Sequence, residues 1–384
     1  MKKVCFITGS RAEYGLLRWL MDLINQNNKF TLQIVATGMH LVEEYGLTFK
    51  EIENDGFIIN HKVEMLLASD TSSSISKSTG LGLCGFSDAY SILKPDVIIV
   101  LGDRYEIFSA CIAAMFAKIP IAHIHGGEKT LGAYDESIRH AITKMSWWHF
   151  VATSEYEKRV IQLGENPERV FNVGGLGVDS IKKYKLLSKK ELMDRTKIKF
   201  FEKNLLITYH PVTLEDNSSK KQFSNLLKAL GELKNTKLIF TLPNADSNSK
   251  IIKNMIVDYV ALNKKKSIFF SSLGQVNYYS LLQYVDGVIG NSSSGLLEVP
   301  TFKIGTINIG DRQAGRIKAR SVIDCKATCS SIADAIEILY SEKFKKKLDR
   351  VKNPYGSGKA SGKIIEILNN SKFKNNIKKE FYDL

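Results

Sequence analysis

The chain has 384 residues, of which 44% are hydrophobic and 24% are charged, so it can bury a large core and is not a disordered chain. Its length predicts two domains, and no apolar stretch approaches the ~18 residues of a membrane helix. The five cysteines are scattered and odd in number, which excludes a disulfide scaffold and is typical of a reduced cytoplasmic protein.

The net charge of +14 is concentrated in two segments. Residues 181–203 contribute +6 and residues 341–384 contribute +7, which leaves the rest of the chain close to neutral. Neither segment has the interleaved aromatic side chains of a nucleic-acid platform. We therefore interpret the charge as a solvated surface, and we expect no nucleic-acid or membrane partner. Because Lys (43) far outnumbers Arg (11), an Arg beside Gly, Asp or Ser is a candidate for binding a phosphate or a carboxylate.

Short apolar runs alternate with Gly-rich or polar turns and longer amphipathic stretches. The predicted strands cover residues 4–8, 32–37, 97–101, 119–124, 150–152, 170–173, 205–209, 238–242, 267–270, 287–289 and 305–309. Predicted helices follow most of these strands, at residues 12–24, 106–116, 136–145 and 224–233 among others. This alternation predicts an α/β protein with parallel sheets that helices cover on both faces.

A glycine-rich stretch at residues 174–177 predicts the main domain boundary. We expect a first Rossmann-like domain over residues 1–174, a second over 175–358, and a last helix within 359–384 that packs back on the first domain. Two sheets of similar size would then face each other across a cleft. The G-x-G-x-x-G sequence at residues 80–85 does not predict NAD binding, because no strand precedes it.

Reactive side chains follow five of the predicted strands, at the carboxyl ends where open parallel sheets bind ligands. Arg11 follows the first strand in Gly9-Ser10-Arg11 and could hold a phosphate or a carboxylate, although an ordinary βα turn looks similar. Asp103 and Arg104 follow the strand at 97–101, where the alternative is an internal ion pair or a helix N-cap.

The strand at 119–124 carries His123 and is followed by His125, Glu128 and Asp135. Alternate positions place the two histidines on one strand face, but no third ligand has a fixed spacing, so we expect no metal. Together with Asp103, these side chains predict a cluster of acids and bases, in which shared burial raises carboxyl pKa values. Asp135 could instead be the N-cap of the next helix.

Two strands of the second half also end in candidate functional residues. His210 follows the strand at 205–209, and a structural histidine is the alternative. The strand at 287–289 runs into Gly290-Asn291-Ser292-Ser293-Ser294-Gly295, whose free N–H groups at a helix start predict a diphosphate site. Glu298, one turn further on, could accept hydrogen bonds from ribose hydroxyls, whereas a serine-capped helix is the simpler interpretation.

These motifs, in this order, resemble the hydrolysing UDP-N-acetylglucosamine 2-epimerases over essentially the whole chain. The motifs are Gly9-Ser10-Arg11-Ala12-Glu13-Tyr14-Gly15, Thr37-Gly38-Met39-His40, Gly102-Asp103-Arg104, His123-Ile124-His125-Gly126-Gly127-Glu128, Asp135-Glu136-Ser137-Ile138-Arg139-His140, His210-Pro211-Val212-Thr213, Asn291-Ser292-Ser293-Ser294-Gly295 and Gly310-Asp311-Arg312-Gln313. The resemblance implies two facing Rossmann-like domains in the glycosyltransferase-B arrangement, with the active site between them. It also implies a bacterial cytoplasmic enzyme of sialic or related nonulosonic acid biosynthesis, and we expect no cofactor.

The reaction that the resemblance implies converts UDP-N-acetylglucosamine to N-acetylmannosamine and UDP. A base removes the proton at C2 of the sugar while UDP leaves from C1, water adds at C1, and C2 is reprotonated on the opposite face. The resemblance places Asp103 and Asp135 on catalytic acids and His210 beside the diphosphate; the catalytic candidates are Asp103, His125, Glu128, Asp135 and His210. The expected substrate-binding residues are Arg11, Arg104, Arg139, His210, Asn244, Ser292, Ser293, Gly295, Glu298 and Arg312.

One position departs from the family pattern. Many relatives read His-Ile-Glu-Gly-Gly-Glu, where this chain has His125 in place of the first Glu, so either His125 or Glu128 takes that role or the substrate differs. The alternative substrate is UDP- or GDP-linked 2,4-diacetamido-2,4,6-trideoxyglucose, from the legionaminic acid pathway. Two further alternatives are a glycosyltransferase of the same fold and an inactive nucleotide-sugar-binding protein. We expect a homodimer or a homotetramer.

Overall fold

The computed structural model describes residues 1–69, 71–130, 134–211, 218–243, 249–373 and 378–384. The chain divides into two compact units. The first unit comprises Met1–Glu128, Asp135–Ser180 and Tyr355–Leu384, and the second comprises Lys129–Tyr134 and Ile181–Pro354. The chain therefore passes between the units within a few residues of the predicted boundaries at 174 and 358. The assignment of Lys129–Tyr134 to the second unit has no counterpart in the sequence-based division.

Strands and helices alternate through the described residues. The strands are β1 Lys2–Thr8, β2 Phe30–Thr37, β3 His61–Val63, β4 Val97–Leu101, β5 Ile121–Ile124, β6 Trp148–Val151, β7 Val170–Asn172, β8 Lys203–Thr208, β9 Thr236–Thr241, β10 Ser267–Phe270, β11 Gly287–Gly290, β12 Gly305–Ile309 and β13 Val322–Cys325. The α-helices are α1 Arg11–Asn25, α2 Phe49–Asn54, α3 Ser72–Leu93, α4 Tyr105–Phe116, α5 Asp135–Met145, α6 Ser154–Gln162, α7 Leu176–Lys183, α8 Lys189–Thr196, α9 Ser218–Gly231, α10 Ser249–Leu262, α11 Gln275–Leu281, α12 Ser294–Leu297, α13 Cys329–Tyr340, α14 Glu342–Leu348 and α15 Ala360–Asn370. Short 3₁₀ turns cover Gly38–Leu41, Glu43–Tyr45, Pro167–Arg169 and Val299–Phe302.

Each unit contains one parallel sheet with the strand order of a Rossmann fold. The first sheet has the order β3-β2-β1-β4-β5-β6-β7, and the second has the order β10-β9-β8-β11-β12-β13. The strand order reverses between β1 and β4 in the first sheet and between β8 and β11 in the second. Ligands of open α/β sheets bind outside the carboxyl ends of the strands at such a reversal. The residues that follow β1, β4, β8 and β11 are therefore candidates for ligand binding.

Side chains of the first sheet alternate between two buried apolar layers. In β1, Val4 and Phe6 lie in the layer that contains Leu17 of α1, while Cys5 and Ile7 lie in the opposite layer with helices α3 and α4. Because both faces of the sheet are covered, its central strands are apolar at successive positions. The last helix, α15, adds its buried side chains to the first of these layers, which belongs to the first unit.

The structure adds two strands to the sequence prediction. Strands β3 and β13 were not predicted, and both lie at an edge of a sheet. The glycine-rich stretch at residues 80–85 lies inside helix α3, as expected for a helix that packs closely on its neighbours. No helix within the described ranges is long and apolar enough to span a bilayer.

Candidate active site

The turn after β1 holds a buried carboxyl group close to the main chain. Ser10 is the N-cap of α1, and its hydroxyl accepts a hydrogen bond from the Glu13 N–H at 3.4 Å. The Glu13 side chain accepts one from the Gly9 N–H at 2.7 Å. Burial, and after it the neighbouring Glu106 carboxylate, raise the pKa of Glu13 to about 8. Glu13 therefore carries a proton at neutral pH.

Arg11, the predicted phosphate-binding residue of this turn, is the first residue of α1. Its Nε lies 2.9 Å from Oε2 of Glu51 in α2. Both side chains are partly exposed, at 23% and 40%, so water competes with this ion pair. Its role in binding substrate stays a prediction.

The turn after β4 contains the second predicted pair, Asp103 and Arg104. Arg104 points its Nε at both carboxylate oxygens of Glu106, at 3.2 and 3.3 Å, and Glu106 is fully buried. Gly38, which follows β2, closes over Glu106: with φ at +56°, a Cβ atom there would lie 2.9 Å from Glu106 Cγ. Only glycine fits at this position. The ends of β1, β2 and β4 thus meet around two carboxyl groups, those of Glu13 and Glu106.

Arg139 of α5 joins the predicted acids of the first unit. It is 1% exposed, pairs through Nη2 with Asp103, and donates through Nη1 to Glu136 at 2.9 Å and to the Glu128 carbonyl at 2.8 Å. A buried guanidinium needs several acceptors, and this one has two carboxylates and a carbonyl. We call Asp103, His125, Glu128, Glu136 and Arg139 the first-unit cluster. That Arg139 binds substrate stays a prediction, since in the structure its Nη1 and Nη2 groups bond to other residues of the chain.

His123 and His125, in and just beyond β5, do not share a strand face as strand alternation predicts. His123 lies in β5 and is fully buried, and burial lowers its pKa to about 3, so the ring is neutral. Its Nε2 donates to the Gly102 carbonyl at 2.8 Å, and its Nδ1 lies 3.3 Å from Thr143 Oγ1. His125 lies beyond the end of the strand in the left-handed region, at φ +66°. The shared strand face was therefore a wrong prediction, because the chain turns at His125.

His125 and Glu128 form a buried pair, at 7% and 2% exposure. The Leu176 N–H donates to Nε2 of His125 at 3.4 Å, and Nδ1 lies 3.0 Å from Glu128 Oε1. Since the Leu176 N–H group can only donate, Nε2 of the ring accepts, and Nδ1 is left to donate to the Glu128 carboxylate. This arrangement uses both ring nitrogens.

Asp135 and Glu136 begin helix α5. Glu136 accepts hydrogen bonds from Arg139 and, at 3.1 Å, from His140 Nε2. Asp135 is the first residue of the helix and is partly buried. Both carboxylates lie where the positive end of the helix dipole stabilises negative charge. Among the described residues, no group of three or more His, Cys, Asp and Glu side chains could hold a metal ion.

The second unit brings the predicted diphosphate residues to the end of β11. His210, 6% exposed, follows β8 and is bonded through its main chain to Asn291. Arg312, after β12, donates through Nη1 to the Asn291 carbonyl at 3.2 Å. We call His210, Asn291, Ser292, Ser294, Glu298 and Arg312 the second-unit cluster. Asn244, another predicted contact, lies outside the described residues.

The predicted helix start after β11 is shorter than expected. Helix α12 is a single turn, Ser294–Leu297, and a 3₁₀ turn with Pro300 near its start follows it. Pro300 lacks the N–H group that a longer helix needs there. The Ser293 side chain makes no capping hydrogen bond in the described structure. The aligned-dipole argument for a diphosphate at Ser292 and Ser293 is correspondingly weaker, and these residues stay predictions.

Glu298, the predicted ribose contact, is already hydrogen-bonded. Tyr279 donates to its Oε1 at 2.6 Å, and Ser294 donates to its Oε2. Gly295, buried beneath this group, has no room for a Cβ, which would lie 2.7 Å from Thr306 Cγ2. Gly295 therefore has a packing role, and ribose would share Glu298 with Tyr279 and Ser294.

Sequence reasoning did not single out Glu13, Glu106 and Asn291. In the sequence, Glu106 resembles an ordinary acidic residue in the first turn of a helix, and Glu13 resembles the last residue of a capping box. Their proximity depends on the strand order, which no local pattern contains. Asn291 lies directly after the strand and just before the serines that are predicted to bind the diphosphate. That position is the one sequence feature that could have identified it.

Two parallel-sheet domains of Rossmann type, with acids at one strand reversal and anion-binding candidates at the other, are the arrangement expected of a nucleotide-sugar enzyme. A family model described as UDP-N-acetylglucosamine 2-epimerase matches residues 22–369. The chain belongs to this family.

Curated relatives place the chain among the hydrolysing members. It is 45% identical, over 100% of its length and 99% of the relative's, to the GDP/UDP-N,N'-diacetylbacillosamine 2-epimerase (hydrolyzing) of Campylobacter jejuni. It is 36% identical, over 96% of both chains, to the UDP-N,N'-diacetylbacillosamine 2-epimerase (hydrolyzing) of Legionella pneumophila. The fold is that of a UDP-GlcNAc 2-epimerase from Neisseria meningitidis crystallised with UDP-GlcNAc, with a TM-score of 0.81 and 19% identity over 96% of this chain and 100% of the other. The chain is an enzyme of the hydrolysing 2-epimerase class.

Proposed function

We propose that this enzyme cleaves a UDP-linked 2,4-diacetamido-2,4,6-trideoxyglucose, N,N'-diacetylbacillosamine, and inverts the sugar at C2 to release free sugar and UDP. The sugar is suggested by the relatives in Campylobacter jejuni and Legionella pneumophila, both named for it, at 45% and 36% identity. UDP-N-acetylglucosamine is the second candidate, because a Neisseria meningitidis relative named UDP-N-acetylglucosamine 2-epimerase is 28% identical over the whole chain.

The observation that carries the chemistry is that one buried cation, Arg139, links the carboxylates of Asp103 and Glu136. Asp103 is 18% exposed and Glu136 is 22% exposed, whereas Glu128 is 2% exposed. Asp103 is thus fixed by Arg139 yet accessible to a substrate, which a general acid or base must be. Asp135 begins the same helix, one turn before Arg139, and as a partly buried side chain it is a further accessible acid.

The proposed steps use these groups on the sugar. A carboxylate of the first-unit cluster removes the C2 proton while the bond from C1 to the diphosphate oxygen breaks, which leaves a double bond between C1 and C2. Water then adds its hydroxyl to C1, and an acid delivers a proton to the opposite face of C2. Departure of a good leaving group makes the first step feasible, because the C2 proton is only weakly acidic. His210 and Arg312 of the second unit would bind the leaving diphosphate.

The experiment is turnover of UDP-N,N'-diacetylbacillosamine, its GDP form and UDP-N-acetylglucosamine, without any acceptor, in D₂O with NMR detection. We expect free sugar with deuterium at C2 and inverted configuration, with the highest kcat/KM for UDP-N,N'-diacetylbacillosamine. Preference for UDP-N-acetylglucosamine or for the GDP donor would overturn that part of the proposal. Release of sugar with protium at C2 would overturn the mechanism. Tight UDP binding without turnover of any donor would indicate an inactive binding protein, and turnover only with an acceptor would indicate a glycosyltransferase.

A further inference from the structure

Asn291 connects the strand ends that carry the predicted diphosphate residues. It follows β11 and is fully buried. Its side-chain Oδ1 accepts a hydrogen bond from the His210 N–H at 2.7 Å, and its Nδ2 donates to the His210 carbonyl at 2.8 Å. Its own carbonyl accepts from Arg312 Nη1 at 3.2 Å and from Gln313 Nε2 at 2.9 Å. One residue thus makes four hydrogen bonds to segments that follow β8 and β12.

The main chain before Asn291 fixes its position. Gly290 has φ at +146°, and a Cβ atom there would lie 1.8 Å from the Thr208 carbonyl oxygen. The Asn291 N–H donates to that same oxygen at 3.2 Å. The chain therefore runs directly over the end of β8, where the strand order reverses and Rossmann-type sheets bind their ligands. Asn291 has little freedom to move in this position.

We propose that Asn291 is a positioning residue for the diphosphate of the substrate, through His210 and Arg312. This inference rests on the proposed function, in which those two side chains bind the leaving diphosphate. An amide is the side chain that offers one donor and one acceptor at the spacing of the His210 N–H and carbonyl. With its Nη1 held by the Asn291 carbonyl, Arg312 is oriented while its buried Nε has no hydrogen-bond partner among the described residues.

Asp in place of Asn291 would disrupt this arrangement with almost no change in volume. The carboxylate oxygen that replaces Nδ2 would face the His210 carbonyl, so a hydrogen bond would become a repulsion between two acceptors. The new negative charge would also lie beside the residues that are to bind an anion. Asn291→Ser is a milder variant, since a hydroxyl can satisfy only one of the two His210 groups.

The chain contains a matched control at the other end of β8. Asn204, 6% exposed, makes the same reciprocal pair with a main chain: Oδ1 accepts from the Phe201 N–H at 2.9 Å, and Nδ2 donates to the Phe201 carbonyl at 3.0 Å. Asn204→Asp therefore makes the same chemical change in the same unit, at the amino end of the strand. It should lower stability without changing the diphosphate contacts.

The test measures dissociation constants of UDP and UMP by calorimetry on the full chain, because their ratio reports the contribution of the diphosphate. We expect Asn291→Asp to weaken UDP binding at least about tenfold more than UMP binding, Asn291→Ser to act in the same direction by less, and Asn204→Asp to leave the ratio unchanged. An unchanged ratio in Asn291→Ser, or an equal change in Asn204→Asp, would overturn the inference even if Asn291→Asp fails to fold. Absence of UDP binding by the wild-type enzyme would instead refute the proposed function.

Discussion

The Asp103→Asn substitution separates a catalytic carboxylate from one that only holds the buried guanidinium of Arg139. Asn keeps the size of the side chain but removes the group that can exchange a proton. We expect kcat per folded molecule to fall ~10²-fold or more, which is the scale of a lost general acid or base. That loss corresponds to about 2.7 kcal/mol of activation free energy.

The same substitution should lower the free energy of unfolding by about 1 to 3 kcal/mol. Asp103 is 18% exposed, so part of its charge is already solvated. Arg139 would keep its hydrogen bonds to Glu136 at 2.9 Å and to the Glu128 carbonyl at 2.8 Å. The cost therefore falls below the ~3 to 5 kcal/mol expected when a fully buried charge loses its partner.

Asp55→Asn is the matched control, because Asp55 is also a carboxylate that pairs with an arginine. It accepts from Arg18 Nε at 2.5 Å and from Nη2 at 3.2 Å, and the Asp55 and Arg18 side chains are 32% and 22% exposed. Sugar release is followed by NMR, UDP affinity by calorimetry and stability by urea titration. Asp55→Asn should keep normal turnover, and Asp103→Asn should keep normal UDP affinity. Near-normal turnover of Asp103→Asn would refute a catalytic role, and a joint loss of turnover and UDP affinity would make the carboxylate structural.

Three further predictions concern other parts of the molecule. Ser293→Asp should abolish calorimetric UDP binding by charge repulsion if the diphosphate lies at the start of α12, and unchanged affinity would place the diphosphate elsewhere. Burial alone would raise the pKa of Glu165, but hydrogen bonds from His149 and two lysines outweigh it and hold that pKa at about 2. Because this pKa is lowered from 4.5, the wild type should lose up to about 3 kcal/mol of unfolding free energy as the pH falls from 4.5 toward 2, and urea titrations of Glu165→Gln should lack this component. Lys379→Met should lower the free energy of unfolding, measured by urea titration, by at least about 2 kcal/mol. The Lys379 Nζ donates to three carbonyls at the end of α5 and lies 2.5 Å from Glu165. The control Lys378→Met should leave the free energy of unfolding nearly unchanged, because the Lys378 side chain is exposed.

The sequence predicts the central strands well because both faces of each sheet are covered. In β4, five successive residues are buried, and such a run is recognisable without knowledge of the fold. The edge strand β3 has only three residues, of which one is buried, so its sequence resembles a loop. Edge strand β13 has no residue in the fully buried class. Edge strands depend on pairing with a neighbour, and local hydrophobicity does not report that pairing.

Side chains that closely follow a strand are the easiest to place from the sequence, because a strand end has a defined position in a parallel sheet. Asp103 and His210 lie two residues beyond the ends of β4 and β8, and their roles stay predictions. Glu106 lies within a helix, and its environment arises from Gly38, which is 68 positions away in the sequence. The partners of Asn291 lie in segments after two other strands. Such long-range contacts require the strand order, which single-sequence patterns do not contain.

The departure at His125 has a physical interpretation in the structure. The left-handed backbone at this residue points the chain away from β5, and the ring is held from both sides, by the Leu176 N–H and by Glu128. A ring whose acceptor nitrogen already receives a hydrogen bond is a poor base unless that bond breaks first. Glu128, in turn, is oriented by the imidazole and is joined through its carbonyl to Arg139, the cation that also holds Asp103. These contacts favour Glu128 over His125 as the residue that takes the role of the family glutamate, and that assignment stays a prediction.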